Sequence, residues 1–183
     1  MTRPRPGRGA GTRDGSQVVC SHRPDASESW EDSLRRAVGP RCVVLGIGNR
    51  LRGDDAAGCL VAEALMQRGF GRVLDCGETP ENYLGKVTES EPSDVLFVDA
   101  VDFDAEPGTV WLFGAESFQV QSLSTHSAGL GPLVDFLRGS CGAVCRVLAV
   151  QPAGLARGAD LSEPVREAVE RIVASDVWGD LLA

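Results

Sequence analysis

The chain has 183 residues, 18 Lys and Arg against 26 Asp and Glu, 43% hydrophobic residues and only 5% aromatics. That is enough for one domain with an aliphatic core, and it excludes both a disulfide-stapled miniprotein and a large multidomain enzyme. The net charge of -8 is unevenly spread: residues 1–40 hold seven Arg and five acids, whereas residues 41–183 carry 11 basic and 21 acidic groups. So acidic a body repels phosphate backbones and anionic lipid, which excludes nucleic acid and membrane surfaces as partners and favours cations or basic protein segments.

Residues 1–40 are rich in Arg, Pro, Gly and Ser without apolar periodicity, which predicts a flexible N-terminal extension ahead of one α/β domain over residues 41–183. The Arg-rich opening is followed by no apolar core of a secretory signal, and no apolar run reaches the length of a membrane span, so a cytoplasmic protein is expected. The cysteines Cys20, Cys42, Cys59, Cys76, Cys141 and Cys145 are scattered, four of them in or beside aliphatic segments, and read as reduced structural thiols.

From residue 41 short apolar runs alternate with helical segments. Residues 42–45 (CVVL) read as a buried strand ending at Gly46, and residues 58–68 carry apolar side chains at helical spacing. A short strand at 72–75, a helix at 81–89 and a second buried strand at 94–99 (DVLFVD) follow. After the Pro107-Gly108 turn come a strand at 109–113, a helix at 130–138, a strand at 144–150 and a helix opened by Ser162. This alternation predicts a three-layer α/β fold, a twisted, mainly parallel sheet of about five strands flanked by helices.

In such sheets the loops leaving the carboxyl ends of the strands converge on one edge, where ligand sites are built. Three polar features fall there: Asp54-Asp55 after the first strand, Asp99 at the tip of the 94–99 strand, and His126 in a Ser-Thr-His-Ser loop. One of two adjacent acids can cap the helix that follows while its neighbour faces the cleft. A carboxylate at the tip of a buried strand must be hydrogen-bonded, open to a cleft, or bound to a cation. Two carboxylates and an imidazole suit a borderline divalent ion such as nickel or zinc and leave coordination positions open.

Gly46-Ile47-Gly48 has the look of a phosphate-binding loop, but Leu51 stands where a dinucleotide fingerprint has its third glycine. The following helix also opens with two carboxylates where a pyrophosphate needs bare amides. No Gly-x-Ser-x-Gly elbow or His-Glu-x-x-His helix is present, which leaves serine-triad and ordinary zincin chemistry without support.

The stretch GIGNRLRGDDAAG, with VDAVD farther on and then STHSAGL, resembles the hydrogenase maturation proteases, and DCGETPENYLG looks like the branch acting on formate-hydrogenlyase large subunits. The resemblance runs from about Cys42 to the final helix. It implies a division of labour by motif: Asp55, Asp99 and His126 form the nickel-binding and catalytic set, in an endopeptidase that removes the C-terminal extension from the nickel-loaded large-subunit precursor of a [NiFe] hydrogenase. The nickel would be supplied by the substrate protein. Asp75, Glu81 and Asn82, in and after the DCGETPEN string, are assigned to substrate recognition, in a protein expected to be a monomer. Ala56 stands where the family usually has Gly, and Cys76 interrupts the family's Asp-Gly-Gly string. The alternative is a non-catalytic nickel- or precursor-binding module using the same three side chains.

Overall fold

The computed structural model describes residues 29–115 and 129–182. A five-stranded sheet is built from β1 (Cys42–Ile47), β2 (Val73–Gly77), β3 (Asp94–Ala100), β4 (Val110–Gly114) and β5 (Val144–Val150) in the order β2-β1-β3-β5-β4. All neighbours are parallel except β4 and β5, which are antiparallel. The chain reaches β4 from β3 through residues 101–109, too short a connection for a helical crossover, so β4 arrives in the reverse sense.

Among the described residues, six helices cover the sheet: α1 (Trp30–Ala37), α2 (Ala57–Gln67), α3 (Leu84–Glu89), α4 (Gly131–Cys141), α5 (Glu163–Ala174) and α6 (Val177–Leu182). Alternation along the central strands feeds two cores. Val44, Leu96 and Leu148 pack with Val61, Leu65, Ile172 and Trp178 on one face; Leu45, Phe97 and Val147 pack with Val87, Val134 and Leu137 on the other. Helices α1, α2, α5 and α6 thus lie over one face and α3 and α4 over the other, giving the three layers expected. Trp178 is wholly buried and donates its indole N–H to the Ile172 carbonyl at 2.6 Å, which satisfies the one polar atom it brings into the core.

The expected domain boundary at residue 40 falls too late. Ser29 accepts the Asp32 amide as the N-cap of α1, and Leu34 of that helix is completely buried among the side chains of the first core. Trp30, Leu34, Ala37 and Val38 follow at helical spacing and form one apolar stripe, diluted in sequence by the charged residues between them. Arg35 then pairs with Asp176 and with Asp180, joining α1 to α6. Of the expected extension, residues 1–28 lie outside the described residues.

The helix expected at 81–89 is divided into a 3-10 turn, Pro80–Tyr83, and α3. Pro80 lies at the first position of that turn, where its missing N–H leaves no bond unmade. Leu34→Ala should lower stability by about 2–5 kcal/mol, the range for deleting a buried leucine, whereas an unattached extension would leave it unchanged. The midpoint of urea unfolding measures this directly.

Candidate active site

Strand β1 has β2 on one side and β3 on the other, so the chain reverses its direction of winding between β1 and β3. A crevice opens at such a point beyond the carboxyl ends of the two strands. The chain leaving β1 passes through Gly48 and a 3-10 turn, Gly53–Ala56, into α2. Gly48 has φ +148°, and a Cβ there would stand 1.8 Å from the Asp55 carbonyl oxygen. Gly58, in the first turn of α2, lies against both strands: a Cβ would meet Val98 O at 2.0 Å and Ile47 O at 2.3 Å. The glycines therefore serve backbone-to-backbone packing, which explains why the first strand and its loop look like a nucleotide fingerprint without having its acidic-free helix start.

This approach brings the turn carrying Asp55 into contact with β3, one residue of which, Val98, immediately precedes Asp99. Asp55 is 1% exposed and Asp99 is fully buried, at the β3 position paired with Ala149 of β5. Two of the three expected metal-binding side chains thus stand on adjoining elements at the switch point. His126 lies outside the described residues. Among the described residues alone, no group of three His, Cys, Asp or Glu side chains could hold a metal ion. Asp55 and Asp99 offer hard oxygen donors, and the imidazole of the Ser-Thr-His-Ser loop is the donor that would complete a set suited to nickel.

Asp54 does not cap α2, as one of the two acids was expected to do. Its carboxylate, 1% exposed, instead accepts from the Ala153, Gly154 and Ser162 amides at 2.7, 3.1 and 2.7 Å and from the Ser162 hydroxyl at 2.9 Å. The cap is lost because Asp54 lies inside the 3-10 turn, whose N-cap position is held by Arg52 without a side-chain bond.

Asp75, the middle residue of β2, receives the Arg50 guanidinium at 2.6 Å, and Arg50 also reaches Glu63 of α2 at 2.8 Å. Asp75 and Arg50 line a surface groove of about 390 Å³ with Gly48, Leu51, Glu78 and Tyr83, so β2 is joined to the β1 turn. Glu81 and Asn82 are exposed on the neighbouring 3-10 turn and are not part of that lining.

The family model for hydrogenase maturation proteases matches residues 59–176, beginning just past Asp55 and spanning Asp99 and His126. The hydrogenase 3 maturation protease of Escherichia coli K12 is 33% identical over 133 residues, covering 71% of this chain and 85% of that protein. The chain belongs to the hydrogenase maturation protease family. Among solved structures, the [NiFe] hydrogenase maturation protease HycI from Thermococcus kodakarensis superposes with a TM-score of 0.68 at 33% identity, over 78% of this chain and 92% of that one. The hydrogenase maturating endopeptidase HybD from E. coli gives a TM-score of 0.61 at 26% identity, over 73% and 87% of the two chains. Membership identifies a peptidase and agrees with the three-layer α/β fold. Among the described residues, no helix is long and apolar enough to cross a membrane.

Two features of this family member escaped sequence reasoning. Arg50 gave no signal beyond its place in Gly-Asn-Arg, because its partners Asp75 and Glu63 are distant in sequence. Gln151 is buried after β5, accepts from the Phe103 and Ala105 amides at 2.9 and 3.2 Å, and donates to Asp102 at 3.0 Å. It thereby holds the loop that follows Asp99.

The cysteines among the described residues are free thiols, as expected. Burial pushes Cys42, Cys59 and Cys76 up to about 12, helped by the nearby charge of Asp94 for Cys42 and of Asp75 for the other two. In the unfolded chain these thiols lose protons first, so the folded state binds protons more tightly above the ordinary value of 9.0. Their contribution to stability is intact below pH 9.0 and is lost as the pH rises towards about 12. Urea midpoints should therefore fall on passing from about pH 8 to about pH 10.5, and a Cys59→Ala, Cys76→Ala variant should show a smaller fall. Gly58→Ala should lower stability by about 3 kcal/mol or more, because its methyl group meets two backbone carbonyls that cannot rotate away, and thermal unfolding would reveal it.

Proposed function

We propose that this peptidase removes the C-terminal extension from the nickel-loaded large-subunit precursor of a [NiFe] hydrogenase, as a cytoplasmic monomer. The observation that carries the reading is that Asp55 and Asp99, both buried, lie on adjoining elements at the switch point between β1 and β3. Family membership and the relatives' activity in hydrogenase maturation support it.

In this reading nickel is cargo in the precursor. Asp55, Asp99 and His126 complete its coordination and so register that the metal has been inserted before the chain is cut. Nickel held by the precursor would supply polarisation of the scissile carbonyl, and a site carboxylate would position the attacking water. Asp75, Glu81 and Asn82 receive the precursor chain. Asp75 has the stronger structural support of the three, because it lines the groove that adjoins the β1 turn. The acidic character of residues 41–183 assists docking of a partner that presents a cation.

The test is the mass of a cognate large-subunit precursor after incubation with the protein, with and without nickel in the precursor. Loss of a C-terminal peptide only from the nickel-loaded form is the expected result. Unchanged mass with tight retention of the precursor would instead establish a binding module. Asp55→Ala, Asp99→Ala and His126→Ala should each slow trimming by about a hundredfold or more while leaving cooperative unfolding in place. A variant that trims at the original rate removes its residue from the site.

A further inference from the structure

We propose that Asp54 is a positioning residue, which locks the turn bearing Asp55 onto the segment leaving β5 and so sets Asp55 in register with Asp99; the proposal rests on the assignment of Asp55 to the peptidase site. Asp54 Oδ2 accepts three hydrogen bonds, from the Ala153 and Gly154 amides and the Ser162 hydroxyl, and Oδ1 accepts the Ser162 amide. These partners belong to one connection, residues 151–162 between β5 and α5, about a hundred residues away in sequence.

Backbone bonds continue the same seam. The Asp54 amide donates to Gly154 O at 3.3 Å, and the Gly158 amide donates to Leu51 O at 2.7 Å. Gly53, with φ +56°, presses against the same segment, where a Cβ would stand 3.3 Å from Gly154 O and from Ala159 Cβ. At its other end this connection carries Gln151, whose side chain holds Phe103, Ala105 and Asp102 in the loop after β3. One segment therefore grips both the turn after β1 that bears Asp55 and the loop that follows Asp99 of β3. Ser162 occupies the N-cap position of α5, yet its side chain makes no cap bond there and is turned to Asp54 instead. A helix cap has been given up in favour of the seam.

The chemistry of the acceptor is specific. An asparagine would bring an NH2 donor against either the three donors at Oδ2 or the Ser162 amide at Oδ1, so no orientation keeps all four bonds. A group acting through the placement of its neighbour changes turnover more than substrate binding, and supporting residues of this kind are worth about 10–100-fold.

The experiment compares the full-length protein with Asp54→Asn and Ser162→Ala, reading precursor trimming and amide hydrogen exchange together. Asp54→Asn should lower kcat about 10–100-fold with KM for the precursor changed less than about threefold, and should speed exchange at the Asp55 and Ala56 amides. Ser162→Ala removes one of the four bonds and should give a graded effect of about two- to tenfold on kcat; it also decides the matter if Asp54→Asn does not fold. A purely structural role would lower the unfolding midpoint while leaving kcat per folded molecule and exchange at Asp55 at their original values, and that result overturns the proposal. If the unmodified protein trims no precursor, the assignment of the peptidase reaction has failed. Exchange then decides alone: faster exchange at Asp55 in the variants upholds the lock, and unchanged exchange removes it.

Discussion

The backbone of α2 rests directly on the carboxyl ends of β1 and β3, and the placement of the site follows from that contact. Only a glycine at position 58 permits it, since any side chain would collide with the carbonyls of Ile47 and Val98. With the helix seated so closely, the turn that begins it is carried into the crevice between the strands. The turn bearing Asp55 and the strand bearing Asp99 are then in contact although they are far apart in the chain. A helix held one side-chain diameter farther out would carry the turn bearing Asp55 away from β3.

Burying several carboxylates at one end of an apolar sheet is unfavourable unless each is engaged by donors or a cation. The protein separates the tasks. Asp54 is saturated by backbone amides and a hydroxyl, and becomes part of the framework. Asp94, at the opposite end of β3, is held by Arg146, Ser93 and the Gly39 amide, and serves the closure of the sheet's amino end. Asp75 is matched by Arg50 on the rim, where solvent screening makes the pair a weak contributor to stability. Asp55 and Asp99 are the carboxylates placed where two strands part, the position at which sheets of this kind bind their ligands.

Much of the architecture was legible in the chain because its signals are local. The runs CVVL, DVLFVD and VCRVLAV are too continuously apolar to be half-exposed, and they became β1, β3 and β5 at the centre of the sheet. Asp99 could be singled out for the same reason, as a charge closing an apolar run. The failures were equally physical. Helix α1 was hidden because its apolar stripe is narrow and surrounded by charge, so that only the surface waiting for Leu34 reveals it as part of the domain. The role of Asp54 was misjudged because an acid before a helix is normally a cap, and the donors that claim it come from residues 153–162.

By itself the sequence determined the strand and helix pattern, the layer class, the family and the identity of the acids worth inspecting, since each depends on residue type and short-range spacing. Tertiary structure alone decided that Asp54, and not its neighbour, is the acid claimed by the amides of residues 153–162. That choice depends on hydrogen-bond donors brought from a distant connection and on how closely one helix can approach two strands. Neither is encoded in the neighbours of Asp54 and Asp55, which are adjacent in the chain and yet hold different places in the molecule.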